Sequence, residues 1–118
     1  MSAAEEFETW ALSQARRFFS QDGKLATRAF FELPSGQRAE LQGPDTRAAW
    51  DVVAAEYRAT LVRRHGAGVA TVVVTEQYSS LDAWCEHPLL DGGAPRRWRA
   101  ALLRPGAVGH WEREAAGS

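Results

Sequence analysis

The chain has 118 residues, with 14 basic against 15 acidic side chains, which fits one domain around one core and leaves no room for two. Apolar residues at 45% and charged residues at 25% exclude a disordered composition, and the charge balance excludes a molecule drawn as a whole to polyanions. No run is apolar enough for a membrane span, and Met1 to Glu8 carries acid where a signal peptide needs base, so no membrane partner is expected.

From Ala4 to Ser20, the residues Phe7, Trp10, Ala11, Ala15 and Phe18 recur at spacings of three and four, with Leu12 and Phe19 widening the stripe. This predicts an amphipathic helix, stopped by Asp22-Gly23. Leu25 to Leu33 then alternates Thr27, Ala29 and Phe31 against Arg28 and Glu32, the period of a half-buried strand. Pro34 to Gln37 supplies a turn, and Arg38 to Gln42 returns with Ala39 and Leu41 in alternation, so a hairpin is expected. Gly43-Pro44-Asp45 breaks the strand and offers Asp45 as an N-cap. Ala49, Val52, Val53, Tyr57, Thr60 and Leu61 form the stripe of a second helix that carries Trp50 and runs to about His65.

Val69 to Thr75 is apolar on both faces and rich in β-branched residues. A central strand covered on both sides reads this way, as does one covered on one side and paired on both edges. Gln77 to Arg97 reads as a long irregular connection with room for one helical turn through Trp84. Trp98 to Leu103 is expected as a strand, Arg104-Pro105-Gly106 and Gly109 as hairpin punctuation, and His110 to Glu114 as the last strand, with residues 115–118 frayed. The succession of helix, two strands, helix and three strands predicts a single α+β domain over residues 1–118. Its expected form is a two-layer sandwich, a mainly antiparallel sheet with both helices on one face.

Roadblock and profilin-like domains have a similar succession of elements. A closer resemblance covers most of the chain, from Gln14 through Asp22-Gly23, the Phe30-Phe31 strand, the Pro34 to Gln37 turn and the second helix to the run Val72 to Tyr78. Together these resemble a family of small, mostly uncharacterised bacterial and phage-encoded proteins in which an apolar strand ends in a Ser-Glu-X-aromatic signature. Thr75, Glu76 and Tyr78 stand at the signature, whereas Arg97-Trp98-Arg99-Ala100 lacks the acidic residue that the family places before its next strand. The resemblance implies the fold and a bacterial or mobile-element setting, and it brings no activity.

The single cysteine, Cys85, cannot close an internal disulfide, so a reducing cytoplasm is the expected compartment. In Cys85-Glu86-His87-Pro88 a thiolate and an imidazole stand two residues apart, and His110 could join them. Structural zinc needs four ligands and a lone Cys is commonly a small buried hydrophobe, so neither a metal nor another cofactor is expected. A small enzyme, or a metal- or ligand-binding protein, using Glu76, Cys85, His87 and His110 is the alternative. The leading expectation is a non-enzymatic interaction module. Its surface would gather Tyr78, Leu81, Trp84, Leu89 and Leu90 from the irregular segment with Arg97 and Trp98 from the next strand, to bind a protein partner or a second copy in a homo-oligomer. Nucleic-acid binding through Arg96, Arg97 and Arg99 is disfavoured, because a strand would set Arg97 and Arg99 on one face and Trp98 on the other.

Overall fold

A computed structural model describes residues 1–43, 50–104 and 107–114. Helix α1 (Ala3–Asp22) starts at a capping box, in which the Ser2 hydroxyl accepts the Glu5 N–H and the Glu5 carboxylate reaches back to the Ser2 N–H. It stops at Gly23, whose φ of 71° lets its N–H turn back to the Phe19 carbonyl. Strands β1 (Thr27–Glu32) and β2 (Arg38–Gly43) form the expected hairpin, and α2 (Trp50–His65) follows. After it come β3 (Ala70–Glu76), β4 (Ser80–Glu86), a 3-10 turn at Asp91–Gly93, β5 (Arg96–Arg104), β6 (Ala107–Val108) and β7 (Glu112–Arg113). Asp45, Ala49, Pro105-Gly106 and residues 115–118 lie outside the described residues, as do the side chains of Trp50 and Val53.

All the strand pairs are antiparallel, in the spatial order β2-β1-β3-β4-β5-β6, with β7 also on β5. The class is therefore α+β. Strands β2 and β3 run parallel with β1 between them, and α2 makes the crossover of a split β-α-β unit.

The helices take opposite faces, where the element order alone predicts one. Phe7, Ala11, Leu12, Ala15 and Phe19 of α1 pack with Phe30, Val72, Val74, Leu81, Ala83 and Ala100. On the other side, Tyr57 of α2 packs on Ala29 and Val73, and Leu61 joins Phe31 and Val69. Side chains alternate along a strand, so the even residues of β3 meet α1 and the odd ones meet α2. The physical reason lies in β3 and the residue that leads into it: a single helical layer would leave Val73 and Val69 in water, at a cost of ~1.5–3 kcal/mol each.

The connection from Gln77 to Arg97 is also corrected, since β4 occupies its first half and pairs with both β3 and β5. Leu81, Ala83 and Cys85 face α1, and the intervening residues face the other way. Among the described residues, the chain after α2 thus holds five strands where three were expected, the short β6 being the second addition. The strand expected over Trp98 to Leu103 is present as part of β5.

Candidate functional site

Helix α2 lies over β1 and β3, so the same face of β4 and β5 is left partly open. Strand alternation presents Ser80, Asp82, Trp84 and Glu86 from β4, and Arg97, Arg99, Ala101 and Leu103 from β5, the last four exposed. Register sets Trp84 directly across from Arg97 and Asp82 across from Arg99.

Each pair is built by a side-chain contact. The Arg97 guanidinium lies 4.8 Å from the Trp84 ring centroid, a cation–π arrangement. The Trp84 indole Nε1 donates to Glu86 Oε1 at 2.7 Å, which restrains the ring. Glu86 Oε2 is in turn 3.5 Å from Arg58 Nε of α2, and Arg58 also donates to the Val69 carbonyl and the Thr71 hydroxyl. Burial pulls the Arg58 guanidinium below its ordinary pKa, opposed by the charge of Glu86. Asp82 is buried and accepts from Ser80 Oγ at 3.0 Å and Arg99 Nε at 2.9 Å. That carboxylate raises the Arg99 pKa, first through the hydrogen bond and then through charge, and Glu114 adds to it from 3.6 Å.

Beside this row opens a shallow cleft of about 450 Å³, lined by Gln77, Tyr78, Ser80, Asp82, Arg99 and Ala101 among others. The buried Nε2 of Gln77 has no hydrogen-bond partner among the described residues. An open concavity lined by Ser80, Asp82 and Arg99 can take a polar group, and the aromatic and arginine pair next to it supplies apolar area.

The expected surface residues divide. Trp84 and Arg97 meet, while Tyr78 stands 86% exposed on the β3–β4 turn and Leu89 stands 79% exposed beyond the other end of β4. Leu81 and Leu90 are not surface residues: they are 0% and 9% exposed. Trp98 points to the α1 face and packs against the main core. The basic run is split as alternation requires, since Arg96 faces α1, with Nη2 3.3 Å from Glu8 Oε1, while Arg97 and Arg99 lie on the open face.

Glu76, Cys85, His87 and His110 do not converge. Glu76 Oε1 accepts the Leu25 N–H at 2.7 Å, at the end of β3 remote from Val72, which is the residue paired with Cys85. Burial, and after it the Glu8 charge, hold the Cys85 thiol well above its ordinary pKa, the reverse of what a nucleophile needs. His87 Nδ1 accepts the Leu89 N–H at 3.0 Å, and burial lowers its pKa. His110 is exposed on the approach to β7. Among the described residues no three His, Cys, Asp or Glu side chains are arranged to hold a metal. Asp82, Glu86, Arg58 and Gln77 are the site residues that sequence reading misses; for Asp82 and Glu86 the available signal was the period-two run Leu81, Ala83, Cys85.

Comparison with protein-family models, curated proteins and solved structures yields no match for this chain.

Proposed function

We propose that the chain is a non-enzymatic interaction module that binds a protein partner through the open half of its sheet, the outer faces of β4 and β5. One observation carries this reading: Trp84, fixed by Glu86 and stacked under Arg97, sits at a partly open face beside a cleft. Trp and Arg side chains held rigid at the centre of a patch are what interface hot spots use, because ordering them on binding costs little entropy. The partner's chemistry follows from the charges. Arg99 faces Asp82 and Glu114, and Arg58 faces Glu86, so the face is charge-compensated and suits a protein surface of mixed charge better than a phosphate backbone. The cytoplasmic setting suggested by the single cysteine, and the bacterial or phage setting implied by the signature resemblance, belong to the same proposal.

The test replaces exposed Leu103 with a photo-crosslinking residue and maps the product by mass spectrometry. The wild-type face should give one crosslinked partner, and Arg97→Glu should weaken its capture at least about tenfold with no change in melting temperature. Capture by Arg97→Glu equal to that by the wild-type protein would end this reading, and salt-dependent retention on a polyanion column would replace it with nucleic-acid binding.

A further inference from the structure

Strand β2 forms the outer edge of the sheet, and among the described residues no strand pairs with its far side. Its residues 38–42 are exposed. The hairpin sets the phase of its main-chain groups. Leu33 N–H donates to the Gln37 carbonyl, so these two residues form a hydrogen-bonded pair. Alternation along the antiparallel ladder then turns the N–H and C=O of Ala39 and Leu41 toward β1 and leaves those of Arg38, Glu40 and Gln42 pointing outward. Such a row is a template for another strand.

We infer that this edge pairs antiparallel with the β2 edge of a second copy, about a twofold axis at Ala39. In that register Arg38 faces Glu40 of the second copy, Glu40 faces its Arg38, and the outward main-chain groups of these residues exchange hydrogen bonds. The two small Ala39 side chains meet on the axis. Charge selects the register. Arg38 Nε already lies 2.7 Å from Glu32 Oε2, and Glu40 Oε1 lies 3.4 Å from Arg28 Nη1. Pairing extends these contacts into an alternating row of Glu32, Arg38, then Glu40 and Arg28 of the second copy. A guanidinium has five N–H donors, so the bond to Glu32 leaves Arg38 capacity for a second carboxylate. An axis at Glu40 would instead set like charges opposite each other, and an axis at Leu41 would form no charge pair. The edge lies at the other side of the sheet from β5, so this dimer and the β4–β5 face stand or fall separately.

Cysteine placement reads the register directly. In Ala39→Cys the two thiols face each other across a non-hydrogen-bonded pair, with Cα atoms about 4.5 Å apart and within disulfide reach. The native Cys85 is buried and does not compete. The wild-type protein should sediment as a dimer, Ala39→Cys should oxidise to a covalent dimer, and Leu41→Cys should not. Glu40→Arg should raise the dissociation constant about tenfold or more, and mixing it with Arg38→Glu should restore dimers, because the mixed pair is complementary at both contacts. A monomer at every concentration, crosslinking through Leu41→Cys in place of Ala39→Cys, or an undiminished Glu40→Arg dimer would each overturn the inference.

Discussion

Glu8 lies on the buried side of α1, with Arg96 of β5 at 3.3 Å and the Cys85 thiol nearby. A buried ion pair of this kind adds little net stability, but removing either partner strands the other, so it ties α1 to one position along the sheet. The same neighbourhood shapes the response to pH. Burial lowers the His87 pKa, opposed by Glu32, so on acidification the unfolded chain takes up the proton before the folded one. Stability from His87 is therefore present above the ordinary imidazole value and lost as pH falls through the lowered one. Burial and Glu8 raise the Cys85 pKa, so its contribution is present below the ordinary thiol value and lost as pH rises beyond it. Urea midpoints should be highest between about pH 6.5 and 8.5 and fall on both sides. Cys85→Ala should flatten the alkaline decline, and an unchanged slope in that variant would show that other groups cause it.

At the scale of elements, the link from α1 to β1 holds two residues at positive φ, Gly23 at 71° and Ala26 at 59°. The first suits its conformation and the second does not, although the Ala26 carbonyl is held there by the Glu76 N–H at 3.0 Å. Gly23→Ala should cost ~1–2 kcal/mol. Ala26→Gly should gain roughly 0.5 kcal/mol, as ~1–2 of strain relief is offset by ~0.4–1 of added freedom in the unfolded chain. Chemical denaturation checks both, and equal losses would show that Ala26 is unstrained.

Elements whose partners are local were legible in the sequence: the α1 stripe, the Pro34 to Gln37 hairpin and the alternation of β5 that parts Arg97 from Trp98. The two-sided apolar run from Val69 to Thr75 also carried the message that both faces are covered, although the layer count drawn from element order ignored it. Strand β4 was hidden because Asp82 and Glu86 read as loop residues. Their burial is made tolerable by Arg99 and Arg58, partners 17 and 28 positions away that no local pattern reveals. The site was legible in Trp84 and Arg97 alone, since cross-strand pairing with β5 decides the rest.

Taken as a whole, the sheet carries a helix on each face, and the two sides are unequal. The α1 side carries the large core and further ties, Arg16 Nη2 to the Val108 carbonyl at 2.9 Å and Trp111 Nε1 to the Leu12 carbonyl at 3.0 Å. Among the described residues, the α2 side rests on two small clusters around Val73 and Leu61. Native-state hydrogen exchange should therefore show α2 amides exchanging at least about tenfold faster than those facing the core in α1, through an opening that leaves the sheet intact. Equal protection of the two helices would show a single cooperative unit.

The split β-α-β arrangement has a further consequence at the ribosome. Strand β1 finds its inner neighbour only in β3, so roughly forty residues must be added before that edge closes, a few seconds at about 5–20 residues per second. Throughout that interval the nascent hairpin shows two bare edges and the greasy side of α1. The N-terminal third of the protein is thus the part that most depends on prompt completion of the chain, or on a chaperone at the exit tunnel.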